Sequence, residues 1–457
     1  RDGISKFTAD NRWATFLSGS LGWIISEEKF FHFKPVSLLK LRGSYGQTGN
    51  TNIPSGVTSD KWAINSGSST LASTNNTYLG SIGNSDIKWE TTNSLDAGID
   101  FGFFGNRING SLAYYQKKVS DMLLAVTLPS SAGLWEAQNY CWQNIGDMKN
   151  KGFEFNANAV VYNKHDFTFN FGFNISTNSN KVLSLDPTSD ANHVGILQAA
   201  ENGIIRTITK SDLSWGTYYM AEYAGVDAQK GIPLIYEVTK LDDGTTEHTG
   251  NIIPATNENM SNNRMILKGK TALPKLLGGF NTNFTYKRFD LSMVWSFVTG
   301  NYIYNRLLQS SMTPNQGMLV LNKKLLTESW TKPGDQTYWP QVTAANLYKY
   351  DNAGNPTTTG VSYGSDNNTP SSQYLEKGDY LKLRNITLGY TIPSDLTNRC
   401  KINTARIYLS ASNLFTLTKF SGYSPEIGID QATGGCYSVF TSMPSSRTFM
   451  FGLSINF

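Results

Sequence analysis

The sequence predicts an all-β protein: a transmembrane antiparallel β-barrel wall of about thirteen strands. Three observations carry that prediction. First, the closing stretch places Phe449, Phe451, Leu453, Ile455 and Phe457 on one parity, with Gly452, Ser454 and Asn456 on the other. A strand throws successive side chains to opposite faces, so this segment has one apolar wall and one small, polar wall. Second, charged residues are only 16% and aromatics 12% of the 457 residues, and glycines number 41. Mean hydropathy is −0.33, and no run approaches the roughly 18 apolar residues of a spanning helix. Barrel strands escape that measure because they average an apolar face with a polar one. Third, long and short connections alternate along the chain, as in barrels with short turns on one side of the membrane and long loops on the other.

Residues 14–26 and 36–45 are strand-like. Residues 50–92 are rich in Gly, Ser, Thr and Asn and read as loop. The stretch 94–103 then alternates cleanly: Leu95, Ala97, Ile99, Phe101 and Phe103 oppose Ser94, Asp96, Gly98, Asp100 and Gly102. A tight Gly105-Asn106 turn sends 108–124 back as its antiparallel partner. After loop 125–151 the pattern repeats as 153–162 and 167–176, where Phe167, Phe169, Phe171, Phe173 and Ile175 form an apolar ladder. Loop 184–214 leads to a hairpin of 215–226 and 232–239. Loop 241–275 leads to 276–286 and 289–299 about a minimal Lys287-Arg288 turn. The longest loop, 300–378, feeds 380–392 and 405–418, and loop 419–446 feeds the terminal strand.

One strand changes phase: apolar residues of 380–390 are odd-numbered before Arg384 and even-numbered after it. Either a β-bulge lies near Asn385, with Lys382 and Arg384 reaching lipid headgroups at the outer rim, or the strand starts a residue or two away.

No catalytic constellation is present, and no cofactor or metal is expected. The motifs HExxH and GxSxG are missing, and Arg264 stands where a phosphate-binding loop before Lys270 needs glycine. His32, His165, His193 and His248 share no ligand spacing and read as solvated loop residues, and Asp242-Asp243-Gly244 reads as a turn. Net charge is +4 without a basic run, so nothing calls for nucleic acid. Cys141, Cys400 and Cys436 form no CxxC pair; Cys141 and Cys436 both fall in outer loops, either bridged or as free buried thiols.

Six segments, in order, resemble the barrel of SusC/RagA-type TonB-dependent transporters of Bacteroidetes outer membranes. They are LKLRGSYGQTGN at 39–50, KWETT at 88–92, NIGDMKNKG at 144–152, YLKLRN at 380–385, SNLFT at 412–416 and the terminal 447–457. The resemblance implies that 1–457 is the C-terminal portion of a 22-stranded barrel. It also implies a plug domain and signal outside this chain. Partners follow from it too: a SusD-like surface lipoprotein, the TonB–ExbB–ExbD energy complex, an N-terminal plug and barrel half, outer-membrane lipid, and a dimer of transporter–lipoprotein pairs.

The expected function is import of an oligosaccharide or peptide, with a lid-independent siderophore or cobalamin transporter and a non-transporting adhesin as alternatives. Inward polar residues (Asp96, Asp100, Asn156, Asn158, Asn170, Asn174, Asn281, Asn283) either meet cargo or only solvate the lumen and hold the plug. The aromatics Trp135, Tyr140, Trp142, Trp330, Tyr338 and Trp339 in the outer loops offer flat faces for a sugar ring, a peptide or a lid protein.

Overall fold

The computed structural model describes residues 1–65, 76–128, 140–185, 195–200, 205–241, 245–312, 320–342, 349–350, 356–357, 361–362, 371–430, 434–438 and 444–457. Its frame is one twelve-stranded sheet. The strands are β1 (Ser18–Ile24), β2 (Val36–Asn50), β3 (Glu90–Phe103), β4 (Ile108–Ser120), β5 (Asp147–Lys164), β6 (Phe167–Thr177), β7 (Ser179–Ser184), β8 (Leu276–Tyr286), β9 (Phe289–Thr299), β10 (Tyr380–Thr391), β11 (Thr404–Thr418) and β12 (Thr448–Asn456). Each pairs antiparallel with its predecessor, except that β7 prolongs β6 past Asn178 and lies, like β6, along β5, and that β8 pairs with β6. The sheet is therefore an up-and-down meander.

The registers join the predicted apolar parities into one continuous face. Across the sheet, Phe101 stands opposite Gly110, Gly110 opposite Ala157, Ala157 opposite Phe173 and Phe173 opposite Phe280. The row continues through Trp295 and Leu383 to Phe415. Rings tile it: Phe169 and Phe284 stack at 4.5 Å, Phe280 and Trp295 at 5.6 Å. Its far end is bare, with Phe451 73% and Phe449 65% exposed. Burying a phenylalanine gains about 1.5–3 kcal/mol, so a wall of this kind demands an apolar solvent. Nine residues in β12, rising about 3.3 Å each and tilted about 40°, cross about 23 Å, close to the apolar band of a membrane barrel. Among the described residues no helix is long and apolar enough to cross a membrane.

Connections sort by side. Residues 104–107, 165–166, 287–288 and 392–403 are short and share one rim, while 51–89, 121–146, 185–275, 300–379 and 419–447 are long and share the other. Gly105 (φ 66°) and Asn106 (φ 62°) take the left-handed conformation that a tight hairpin requires.

Of the thirteen expected strands, the hairpin 215–226 and 232–239 does not join the wall. Thr217–Ala221 belongs to a four-stranded sheet, and Tyr223–Val226 with Pro233–Lys240 to a three-stranded one, both inside the long connection 185–275. Removing a hairpin removes two crossings, so the alternation of long and short connections survives. Strands also outrun their predicted ends, β2 to Asn50 and β5 back to Asp147, lifting the wall above the lipid band.

The phase change is a true bulge. Register slips between Leu383 and Asn385 on β10, so Arg384 and Asn385 both face inward. The sheet has two unpaired edges, β1 and β12, among the described residues.

Candidate functional site

The concave face of the wall is polar and largely paired with itself. Arg42 on β2 reaches Asp96 at 2.6 Å and Asp100 at 3.2 Å on β3. Gly98 between them is required by that approach, because a Cβ there would lie 2.9 Å from the guanidinium carbon. Arg406 on β11 crosses the whole of β10 at Gly389 to reach Asp290 on β9, donating from Nε at 2.9 Å. Asn156 donates to Ser111, Asn170 stands opposite Asn283, and Gly172 opposite Asn281. Asn158 and Asn174 share this inner parity. The inward polar ladder is where the alternation puts it.

At the outer mouth the wall carries an ion cluster. Lys382, only 2% exposed, and Arg384 both pair with Glu426, which descends from the last long connection. Tyr380 donates to the same carboxylate at 3.3 Å, and Arg384 Nε donates to Ser296 Oγ at 2.7 Å. The two basic residues thus turn inward onto a loop rather than outward to headgroups, since the bulge and alternation place them on the lumen face. Burial opposes the charge on Glu426, but the hydrogen bond and charge of Lys382 and the charge of Arg384 outweigh it and hold the carboxyl below its usual range.

Above the mouth, the long connections fold onto one another. Tyr218, Met220, Leu267 and Tyr304 form a buried core to which connections 185–275 and 300–379 both contribute. The Tyr218 hydroxyl donates to the Cys436 carbonyl at 2.7 Å and accepts from the Cys436 N–H at 2.9 Å. Burial raises the Tyr218 hydroxyl well above the ordinary tyrosine value. Asn305, fully buried, donates to Glu376 and Ser421 and accepts from Leu308 N–H and Ser438 Oγ, so two connections, 300–379 and 419–447, meet on one side chain.

Of the aromatics singled out in the sequence, Trp330, Tyr338 and Trp339 lie together and Trp142 belongs to a different cluster. Trp339 is 4% exposed, in a core with Leu308, Met312 and Leu325. Trp330 packs on Gly231, where φ is +70°, and its indole N–H donates to Ala228 O at 2.9 Å. Tyr338 is 51% exposed, edge-on to Tyr223 at 5.3 Å and to Trp339 at 5.0 Å, and its hydroxyl donates to Gln373 O at 3.1 Å. Trp142 packs on Phe7, Ile53, Ile87 and Leu123, at a distance along the chain from that group. Trp135 and the side chain of Tyr140 lie outside the described residues, as do His193 and Asp242-Asp243-Gly244.

Cys141 and Cys436 are both free and buried, which decides for two thiols over a bridge. Burial pushes the Cys436 thiol up to about 12 and raises that of Cys141. His248, expected as a solvated loop residue, is exposed but lies on the strand Thr246–Pro254, with Nε2 3.2 Å from Glu222 Oε2 and its ring tilted against Tyr236.

The comparisons with known proteins agree with this architecture. The family model for the β-barrel of TonB-dependent receptor-like proteins matches residues 1–414. TonB-dependent receptor P3 of Formosa agariphila is 28% identical over 480 residues, covering 100% of this chain and 43% of that protein. TonB-dependent receptor SusC of Bacteroides thetaiotaomicron is 28% identical over 472 residues, covering 100% of this chain and 41% of that protein. A structure of the RagAB peptide transporter superposes with a TM-score of 0.75 at 24% identity, over 99% of this chain and 44% of that one. The chain spans less than half the length of the relatives it matches. It belongs to the TonB-dependent receptor-like β-barrel family, whose place is the bacterial outer membrane.

Proposed function

We propose that this chain is the C-terminal part of the wall of a TonB-dependent importer for a large polar nutrient, an oligosaccharide or a peptide. The observation that carries the reading is a sheet with a lipid-grade outer face, a polar lumen face and two open edges. In hydrocarbon each unpaired backbone group costs several kcal/mol, so β1 and β12 call for further strands between them. A barrel of 22 strands with an N-terminal plug, beyond residues 1–457, meets that demand. Transport on this reading needs no catalytic group from the chain. The energy comes from the TonB–ExbB–ExbD complex on the side of the short turns.

The folded long connections form the docking side for a SusD-like surface lipoprotein, and two transporter–lipoprotein pairs assemble as a dimer. Their aromatics supply cargo contact, and Tyr338 is the first choice because its ring is half open while its hydroxyl is already anchored. The RagAB relative, named a peptide importer, supports peptide as one cargo class.

The test is purification of the native complex from outer membranes in mild detergent, with mass spectrometry of every co-purifying chain and small molecule. A plug-bearing polypeptide, a lipoprotein and a bound oligosaccharide or peptide support the reading. A lone chain that is soluble without detergent overturns it.

A further inference from the structure

The route by which Arg406 crosses β10 is repeated by a second basic side chain at the edge of the wall. Arg406 stands opposite Thr391, leans back two residues along β10 to Gly389, and meets Asp290, which stands opposite Gly389 on β9. Lys40 on β2 stands opposite Ile24, and two residues back along β1 is Gly22. Lys40 Cε lies 3.3 Å from the place that a Cβ on Gly22 would take, so the side chain has already crossed onto β1. Both strand pairs join across the rim of short connections, through 25–35 and 392–403. They differ at the far end: β9 lies beyond β10, whereas β1 is an edge.

Lys40 is half-buried, and its ammonium has no hydrogen bond or ion pair among the described residues. Asp100 stands opposite it on β3, but Arg42 holds that carboxylate from Nε at 3.2 Å. The lysine turns the other way, toward the edge. Beside it on the lumen face lies a cavity of about 320 Å³, lined by Ser20, Gly22, Lys40, Arg42, Ser44 and Asp96.

Neighbouring strands lie about 4.7–4.9 Å apart, so an ammonium carried past Gly22 reaches side chains of the next strand outward. Gly22 leaves room for the crossing, as Gly389 does for Arg406. A cation partly removed from water gains from a carboxylate partner through a charge-assisted hydrogen bond. A partner in the plug would call for a lysine standing up from the wall, and Lys40 lies along it. We propose that Lys40 pairs with an aspartate or glutamate outside residues 1–457, opposite Gly22 on the strand that lies against β1; this rests on the transporter reading above. The pair latches this part of the wall to the strands beyond it.

The test uses the whole transporter in mild detergent and a water-soluble carbodiimide, which joins an amine to a carboxyl group in contact with it. Peptide mass spectrometry reads which carboxyl group Lys40 has taken. The expected product is an amide between Lys40 and one Asp or Glu outside 1–457, within a stretch of strand-like alternation, and its loss in K40R. The K40R variant should keep the wild-type heat-modifiability midpoint and K40E should lower it. Reversing the linked acid to lysine in K40E should restore it. A link to Asp96, Asp100 or the plug overturns the latch, as do the absence of any link and a K40E midpoint that the reversed acid does not restore. A purified complex with no polypeptide beyond 1–457 sinks the transporter reading itself, whereas a complete barrel with Lys40 joined elsewhere sinks only the latch.

Discussion

Lys382 and Glu426 lie 44 residues apart in the chain, and theirs is the one ion pair among the described residues whose cation is fully buried. The pair fastens the last outer connection to the lumen wall. Arg384 and Tyr380 close on the same carboxylate, so the tether has more donors than a single pair.

Glu426→Gln should release that connection. Removing one partner of a buried pair costs about 3–5 kcal/mol, and the partial exposure of Arg384 and Glu426 lowers this to about 2 kcal/mol. Trypsin cleavage after Lys419 should speed up by about ten-fold or more in isolated outer membranes. An unchanged rate would show that the tether holds nothing.

The same carboxylate sets a pH response. Its folded value lies below that of the unfolded chain, so its contribution is complete above the ordinary glutamate value of about 4.3 and is lost as pH falls through the lower folded value. Nicking of 419–430 by an acid protease should rise only at pH below about 4.3, and this rise should be absent in Glu426→Gln. A rise beginning near pH 6 would place the response elsewhere.

Gly389→Ala should loosen the wall while leaving both charged partners in the sequence. Its Cβ would occupy the path of Arg406 to Asp290. Overpacking of this kind costs about 1–3 kcal/mol, to be read as a lower heat-modifiability midpoint on gels. A midpoint equal to wild type would mean that the bridge has another route.

The two faces of β12 should respond oppositely to charge. Phe451→Arg puts a cation into lipid at about 2–4 kcal/mol and should lower outer-membrane abundance. Ser454→Arg, on the other face, should leave abundance near wild type. Equal losses would mean that the faces are misassigned.

Cys436 should resist alkylation in the folded protein. A thiol raised to about 12 holds roughly three orders of magnitude less thiolate at pH 7.5 than one at about 8.5. Maleimide labelling should be slow with or without reductant, and fast after denaturation. Labelling that needs reductant even in denaturant would indicate a bridge.

The wall was legible in the sequence because strand geometry is local. A period of two assigns Phe449 to Phe457 and Leu95 to Phe103 to one face before any partner is known, and Gly105-Asn106 and Lys287-Arg288 mark the turns. The phase slip at Arg384 was visible for the same reason. The loop core was not legible. Tyr218 and Met220 alternate as a lipid-facing strand would, but their partners are Tyr304 and Cys436, far along the chain. Alternation states only that one face is buried, and it cannot distinguish lipid from a protein core. The sequence by itself determined a two-faced meander and the side on which its long connections lie, since both follow from backbone periodicity. Only the tertiary structure decided where Lys382 finds Glu426 and which aromatics are buried, because those contacts depend on how separate connections pack together.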